Sequence, residues 1–131
     1  MSLTRLTLTQ GNDVLSFVNG DKPYTFHDIR ALGGNDIINV GASDSIINGG
    51  SGNNSIGING NRNTIVTGSG NDRIQSSGSD VTIRDRGGDN SLTVAGNRVS
   101  IVTGDGNDTL FLATNDTVSI NTGAGNDLVG A

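Results

Sequence analysis

The sequence predicts an all-β protein that coils as a parallel β-solenoid, with two short strands in each turn of the coil. Three observations lead to this prediction: a Gly-rich string that recurs at a fixed spacing, short segments in which apolar and polar residues alternate, and a composition suited to turns. Of the 131 residues, 21 are Gly, and all thirteen acidic residues are Asp. Asp, Asn and Gly favour tight turns, whereas the missing Glu and the single Lys argue against solvated helix faces.

The recurring string is clearest in "TGSGNDRIQ" (67–75) and "TGDGNDTLF" (103–111). Each copy contains a Gly before an Asn-Asp pair or its variant, and these are Gly11, Gly34, Gly52, Gly70, Gly88, Gly106 and Gly125. Their spacing is 23 in the first step, 18 in the next four and 19 in the last. A second string, such as "NGNRNTIVT" (59–67), lies halfway between copies. The sequence unit is therefore nine residues, and one turn of the coil is eighteen.

The apolar residues predict the strands. Each half-turn contains a short alternating segment, for example Ile56 and Ile58, then Ile65, or Leu92 and Val94. Alternation with a period of two indicates a half-buried strand. One half-turn cannot bury its apolar side alone, but stacked copies form a continuous interior. About six turns at the ~4.8 Å strand spacing give a rod of roughly 30 Å.

The chain divides into two predicted regions, 1–30 and 31–131. The first contains an N-terminal capping strand, a degenerate first coil and an insertion; the second contains the solenoid repeats. The insertion carries Pro23, Tyr24, Phe26, His27 and Ile29, and we expect its aromatic residues to fold as a lid over the N-terminal end of the core. The last repeat, "NTGAGNDLVGA" (121–131), has no amphipathic cap. Because an uncapped parallel edge invites pairing, we expect end-to-end self-association or flanking domains of a longer chain.

Charge and composition exclude several functions. A net charge of −5 makes nucleic acid a poor partner and cations a suitable one. No run of ~18 apolar residues predicts a membrane span. Polysaccharide lyases share parallel β-helical folds, and paired Asp residues can do acid–base work. However, His27 is the only His, Cys and Glu are absent, and every Asp occupies a repeat or turn position, so the sequence predicts no enzyme.

Several nonapeptides carry a family resemblance. "GGSGNNSIG" (49–57), "TGSGNDRIQ", "TGDGNDTLF" and "TGAGNDLVG" (122–130) resemble Gly-Gly-x-Gly-x-Asp-x-U-x, where U is aliphatic. This is the calcium-binding repeat of RTX (hemolysin-type) proteins. The resemblance implies a β-roll whose six-residue turns bind Ca²⁺ through carboxylate and carbonyl oxygens, and it implies extracellular secretion.

The candidate metal ligands are the residues that match the Asp of the nonapeptide. This column reads Asp13, Asp36, Asn54, Asp72, Asn90, Asp108 and Asp127. Two carboxylates ~5 Å apart repel by roughly 3 kcal/mol at an effective dielectric near 20, and either a cation or an Asn neighbour removes that cost. We therefore expect about two ions, first at Asp108 and Asp127 and next at Asp13 and Asp36. Central sites, including the one at Asp72, should be weak or empty, and we expect Asp89 to supply the charge that Asn90 lacks.

Two further columns recur at the same spacing. One alternates in sign, and we call it the charge column: Asp44, Arg62, Asp80, Arg98 and Asp116, extended by Asp21 across the insertion. We expect each guanidinium to lie between two carboxylates, in the place that Ca²⁺ takes in the family pattern, and this face to be metal-free. The other column is Asn35, Asn53, Asn71, Asn107 and Asn126. It predicts a ladder of side-chain amides between coils, the alternative being ligand recognition.

Two functions follow from these patterns. The first is a calcium-associated structural β-roll module of a secreted bacterial protein, acting as a non-catalytic scaffold. The alternative is a metal-independent solenoid that offers an adhesion, ice-binding or glycan-binding surface. An outward column of hydroxyls would suit the alternative: Thr64, Thr82, Ser100 and Ser119. Its neighbours interrupt any regular double row: Val66, Arg84, Val102 and Asn121.

Overall fold

The computed structural model describes residues 4–18, 27–114 and 116–131, and within these ranges the chain is all β, without a helix. Fourteen strands form two parallel sheets of seven. The odd-numbered strands are β1 (Thr4–Thr7), β3 (His27–Arg30), β5 (Ile46–Gly50), β7 (Thr64–Thr67), β9 (Thr82–Arg84), β11 (Val99–Val102) and β13 (Val118–Asn121). The even-numbered strands are β2 (Val14–Val18), β4 (Ile37–Gly41), β6 (Ser55–Asn59), β8 (Arg73–Ser77), β10 (Ser91–Ala95), β12 (Thr109–Ala113) and β14 (Leu128–Gly130).

Every strand pairs with the strand two places along the chain, so successive strands alternate between the sheets. Ile56 lies opposite Ile74, and Ile65 lies opposite Ile83, each pair eighteen residues apart. The predicted parallel solenoid of about six turns, with two strands in each turn, is confirmed. Below, each turn of the solenoid is called a coil.

The 23-residue first step has a place in this register. Leu15 pairs with Ile38, and Leu6 pairs with Ile29, each 23 residues apart. The five additional residues therefore lie between β2 and β3. They fall within 19–26, outside the described residues, as do Asp21 of the predicted charge column and the insertion residues Pro23, Tyr24 and Phe26.

The apolar interior runs the length of the rod as stacked columns. The largest fully buried apolar side chains come from successive half-turns: Ile38, Ile47, Ile56, Ile65, Ile74, Ile83, Leu92, Ile101 and Leu110. This confirms the alternation expected from sequence. Ile29 corrects one expectation, because it belongs to the core on β3, at 4 % exposure, and not to the insertion. His27 begins the same strand.

Stacking explains the Gly that recurs every eighteen residues. Gly70 has a φ of +134°, which disfavours other residues, and a Cβ there would overlap the carbonyl oxygen of Gly52 in the preceding coil. The equivalent Gly88 and Gly106 show the same conformation and the same close approach. Backbones in this turn therefore stack too closely for a side chain. Within the described ranges, no helix is long and apolar enough to cross a membrane.

Candidate metal centre

The candidate site lies inside the six-residue turns that connect each odd-numbered strand to the next even-numbered one. In the turn 67–72, the first position is Thr67 and the sixth is Asp72, and both side chains are buried. The fifth position, Asn71, is exposed. We number equivalent residues of the other turns in the same way. Each turn thus points its first and sixth residues into the rod and its fifth residue outward.

The sixth-position side chains join neighbouring coils. From Asp36 onward, each uses Oδ1 to accept a hydrogen bond from the backbone N–H of the sixth residue in the preceding coil. Asp72 accepts from Asn54 at 2.7 Å, and Asp127 accepts from Asp108 at 3.0 Å. The other bonds of this series have donors Asp13, Asp36, Asp72 and Asn90. The side chains that resemble metal ligands therefore also hold the coils together through one oxygen.

Asn and Asp differ at this position in their second polar side-chain atom, which is Nδ2 in Asn and Oδ2 in Asp. Asn54 donates its amide nitrogen to the carbonyl oxygen of Gly52 at 3.2 Å, and Asn90 donates to that of Gly88 at 2.9 Å. The Asp residues have no hydrogen to donate. Their Oδ2 atoms are buried without a hydrogen-bond partner, in Asp36, Asp72 and Asp108.

An unpartnered, buried carboxylate oxygen is costly unless a cation faces it. Burial, the largest cause, raises the pKa of the Asp72 carboxyl above its usual value. Hard divalent cations such as Ca²⁺ bind carboxylate and carbonyl oxygens, which are the groups that this interior offers. The residues present therefore fit a calcium ion.

The structure places the five predicted ligands in one column but brings only some of them into adjacent coils. Asp108 adjoins Asp127, and Asp13 adjoins Asp36. The Asp13 carboxylate already accepts hydrogen bonds from the Thr9 backbone N–H at 2.8 Å and the Thr9 hydroxyl at 2.9 Å. Asp72 lies between Asn54 and Asn90, without a charged neighbour in its own column.

The ligand set must include uncharged oxygens. Within the part of the chain that the structure describes, no group of three or more His, Cys, Asp or Glu residues could hold a metal ion. An ion in a turn would therefore be held by one or two carboxylates together with carbonyl, hydroxyl or water oxygens. The assignment of particular Asp residues as ligands stays a prediction.

One expectation about the central coil is wrong. Asp89 does not replace the charge missing at Asn90, because its side chain is exposed at the fifth position and accepts a hydrogen bond from the Asn107 N–H at 2.8 Å. The carboxylate that points inward in this coil is Asp85, at the first position. Sequence reasoning missed it. The available signal was "DRGGDN" (85–90), in which an Asp occupies the place held by Thr in "TGSGND" and "TGDGND".

Asp85 is held by several hydrogen-bond donors. Its Oδ1 accepts from the Thr67 hydroxyl at 2.8 Å and from the Arg86 backbone N–H at 2.8 Å, and its Oδ2 contacts the Asn90 amide nitrogen. Burial, aided by the negative charge of Asp72, raises the pKa of the Asp85 carboxyl to about 6. The donors do not fully offset the loss of water around the charge.

The fifth-position side chains form the predicted ladder. Their hydrogen bonds run in the direction opposite to those of the sixth-position side chains. Asn53 accepts from the Asn71 backbone N–H at 2.8 Å, and Asn71 accepts from the Asp89 N–H at 2.8 Å. The bonds join side-chain oxygens to backbone N–H groups of the following coil. This gives the column a structural role. The backbone N–H of the fifth residue bonds to the preceding coil, and that of the sixth residue bonds to the following coil.

The charge column is present on the other side of the rod, with uneven pairing. Arg62 binds Asp44 through Nε at 2.6 Å, and Arg98 binds Asp80 through Nε at 2.6 Å. Arg98 also approaches Asp116 at 3.9 Å, so it lies between two carboxylates as expected. Arg62 forms an ion pair within 4.0 Å only with Asp44 among the described residues, which corrects the expectation for that residue.

Comparison with known proteins agrees with this geometry. The family model of the RTX calcium-binding nonapeptide repeat (4 copies) matches residues 29–57, 58–89 and 66–98, which together cover more than half of the chain. The chain belongs to the RTX calcium-binding nonapeptide repeat family. Comparisons with curated proteins and with solved structures give no match.

Membership in the RTX family accounts for the Gly-rich turns and the inward Asp column. The family and the β-solenoid fold support a calcium-binding structural repeat, and they imply that this chain binds Ca²⁺. The RTX match ends at residue 98, whereas the stacked strands continue through β14 (Leu128–Gly130). The C-terminal coils therefore continue the same architecture beyond the matched segment.

Proposed function

We propose that this protein is a calcium-associated, non-catalytic scaffold module of a secreted bacterial protein, in which a few ions hold neighbouring coils together. The observation that carries the proposal is the set of buried Oδ2 atoms without partners in Asp36, Asp72 and Asp108. These oxygens are buried at the sixth position of their turns, where the carbonyls of Gly52 and Gly88 face the equivalent side chains Asn54 and Asn90. Ca²⁺ binding at such positions would stabilise the folded state over the unfolded one.

Asp108 and Asp127 are the first pair that we assign to an ion. They occupy adjacent coils, each with a carboxylate at the sixth position, and Asp108 has an unpartnered oxygen. Asp13 and Asp36 come second, because Thr9 already donates to the Asp13 carboxylate through its backbone N–H and its hydroxyl. This order agrees with charge repulsion, since two adjacent carboxylates gain most from a shared cation.

The proposed scaffold role rests on how the acidic side chains are used. The inward Asp residues bond to backbone N–H groups of adjacent coils, and Asp44 and Asp80 bond to Arg. These contacts give the acidic side chains a structural role. Secretion is proposed from the family alone.

An adhesion or ice-binding surface receives less support. The structure contains the predicted hydroxyl column: Thr64 pairs with Thr82, and Ser100 pairs with Thr82 and Ser119. The column beside it holds Val66, Arg84, Val102 and Asn121 in the same register. A periodic ligand needs a periodic surface, and this one changes chemistry at each coil.

Calorimetric titration of Ca²⁺ into metal-free protein tests the proposal. We expect saturable binding of few ions and a higher melting temperature in Ca²⁺ than in chelator. Asp127→Asn should bind fewer ions than the native protein, whereas Asp89→Asn, the exposed control, should bind as many. Native protein that binds no Ca²⁺ would contradict the proposed function.

A further inference from the structure

We propose that Asp72 and Asp85 together bind a Ca²⁺ ion in the middle of the rod, with Asp85 supplying the charge from the first position of its turn. This site departs from the nonapeptide pattern, in which the carboxylate stands at the sixth position. The inference rests on the proposed function in one respect, because it takes the interior of the turns as the place where cations bind.

The two carboxylates belong to consecutive coils and lie inside the rod. Asp72 is 2 % exposed and Asp85 is 4 % exposed. In the first-position column, Asp85 is the single carboxylate among uncharged residues: Ala31, Gly49, Thr67, Thr103 and Thr122. The sixth position of the same turn is Asn90, which is uncharged. This coil therefore has one inward carboxylate, and it stands at the first position instead of the sixth.

Thr67 shows that the two carboxylates share one neighbourhood. Its hydroxyl donates to Asp85 Oδ1 at 2.8 Å, and the same hydroxyl lies close enough to Asp72 to favour that carboxylate's charged form. A hydroxyl has one hydrogen, so it cannot serve both carboxylates at once. Asp72 Oδ2 has no hydrogen-bond partner, and Asp85 Oδ2 contacts the Asn90 amide nitrogen. These two oxygens have free lone pairs for a cation.

Among the described residues, no cationic side chain forms an ion pair with either carboxylate. The described ion pairs involve neither Asp72 nor Asp85, and Arg86 reaches Asp85 through its backbone N–H. Among the described residues these two buried carboxylates therefore have no cationic partner, and a bound Ca²⁺ would supply the missing positive charge.

The donor set selects the class of ion. Carboxylate, hydroxyl and carbonyl oxygens suit a hard divalent cation, and the described residues offer no His or Cys near this position for a softer metal. Two protein carboxylates leave several coordination positions for carbonyl or water oxygens. The site would therefore bind more weakly than a cage of three or four carboxylates.

Ion counting on the full chain tests this site. Metal-free native protein, Asp85→Asn, Asp72→Asn and the double variant are titrated with Ca²⁺ by calorimetry, and circular dichroism in chelator checks that each folds. If the carboxylates share one ion, each single variant binds one ion fewer than native protein, and the double variant also binds only one fewer. Asp89→Asn removes a carboxylate from the same coil on the exposed side and should leave the count unchanged.

The outcomes separate the two proposals. If Asp85→Asn binds as many ions as native protein while Asp127→Asn binds fewer, the central site is wrong and the proposed function stands. A double variant that lacks two ions would show two independent sites and would also overturn the shared site. If native protein binds no Ca²⁺, both proposals fail together.

Discussion

The guanidinium of Arg98 donates two hydrogen bonds of 2.6 Å to the carboxylate of Asp80 in the preceding coil. Both residues have positive φ, +53° for Arg98 and +59° for Asp80, a conformation that Asp tolerates better than Arg. Arg98 therefore occupies a backbone position that its own side chain does not favour. The bidentate contact with Asp80 is the favourable interaction that its side chain makes there.

Reversing the charge at Arg98 should lower the melting temperature much more than the same reversal at Arg73. Arg98→Asp would place three carboxylates in consecutive coils, whereas Arg73 is exposed on β8 between Ser55 and Ser91. The backbone conformation at residue 98 favours Asp, so the loss must come from charge repulsion. Thermal unfolding of both variants at low and high salt measures it, and the difference should shrink in salt. Equal melting temperatures at low salt would reject the charge column as a stabilising feature.

Acid should remove the advantage that Arg98 gives. Its hydrogen bond to Asp80 holds the pKa of that carboxyl below the usual value of 3.8. A lowered folded-state pKa contributes stability above the unfolded pKa, and this contribution is lost as the pH falls through the folded value. The melting-temperature difference between native protein and Arg98→Asn should therefore be constant from pH 7 to about pH 5 and decline below about pH 4. A difference that grows on acidification would contradict this assignment.

Gly70→Ala should destabilise the protein by about 2 kcal/mol or more, because Ala must adopt a positive φ and meet the Gly52 carbonyl. Gly11 is the matched control. It begins the same column, and a Cβ there would meet only the Thr9 hydroxyl at 3.5 Å, an ordinary contact. Denaturant unfolding of both variants gives the two free energies. Similar losses would mean that close stacking does not explain the recurring Gly.

Much of this architecture could be predicted from sequence because it depends on periodicity. Spacings of 18 fix which residues stack, so the core columns and the column from Asp44 to Asp116 follow from counting. The role of Asp85 could not be predicted in this way, because it required knowing that the first position of the turn points inward. The exposure of Asp89 depended on the same fact. Periodicity gives neighbours along the rod but does not give the direction of each turn residue.

The sequence also could not predict that Arg62 forms its ion pair with Asp44 and not with Asp80. Equal spacing makes Asp44 and Asp80 equivalent neighbours of Arg62. One guanidinium, however, forms a bidentate contact with one carboxylate at a time, and here it selects the preceding coil.

Asp108→Asn should have opposite effects with and without Ca²⁺. In chelator, the new amide can donate to a nearby carbonyl, as Asn90 donates to Gly88, and it removes an unpartnered buried oxygen. The free energy of unfolding should then rise by about 1–3 kcal/mol. In saturating Ca²⁺ the variant should be less stable than native protein, because a charged ligand is lost. Chemical unfolding in both conditions measures the reversal.

Asp89→Asn is the control for that reversal, since Asp89 is exposed and outside the interior column. It should change stability little and by the same amount in chelator and in Ca²⁺. If Asp108→Asn behaved like Asp89→Asn, the orphaned oxygen of Asp108 would have no connection with a cation.

Anomalous diffraction from crystals grown in Ca²⁺ tests the central claim most directly, because it locates the ions among the coils. We predict anomalous peaks inside the turns, beside the second carboxylate oxygen of Asp108 and between Asp72 and Asp85. Well-ordered crystals with no peak in the interior, at a Ca²⁺ concentration that raises the melting temperature, would contradict the account.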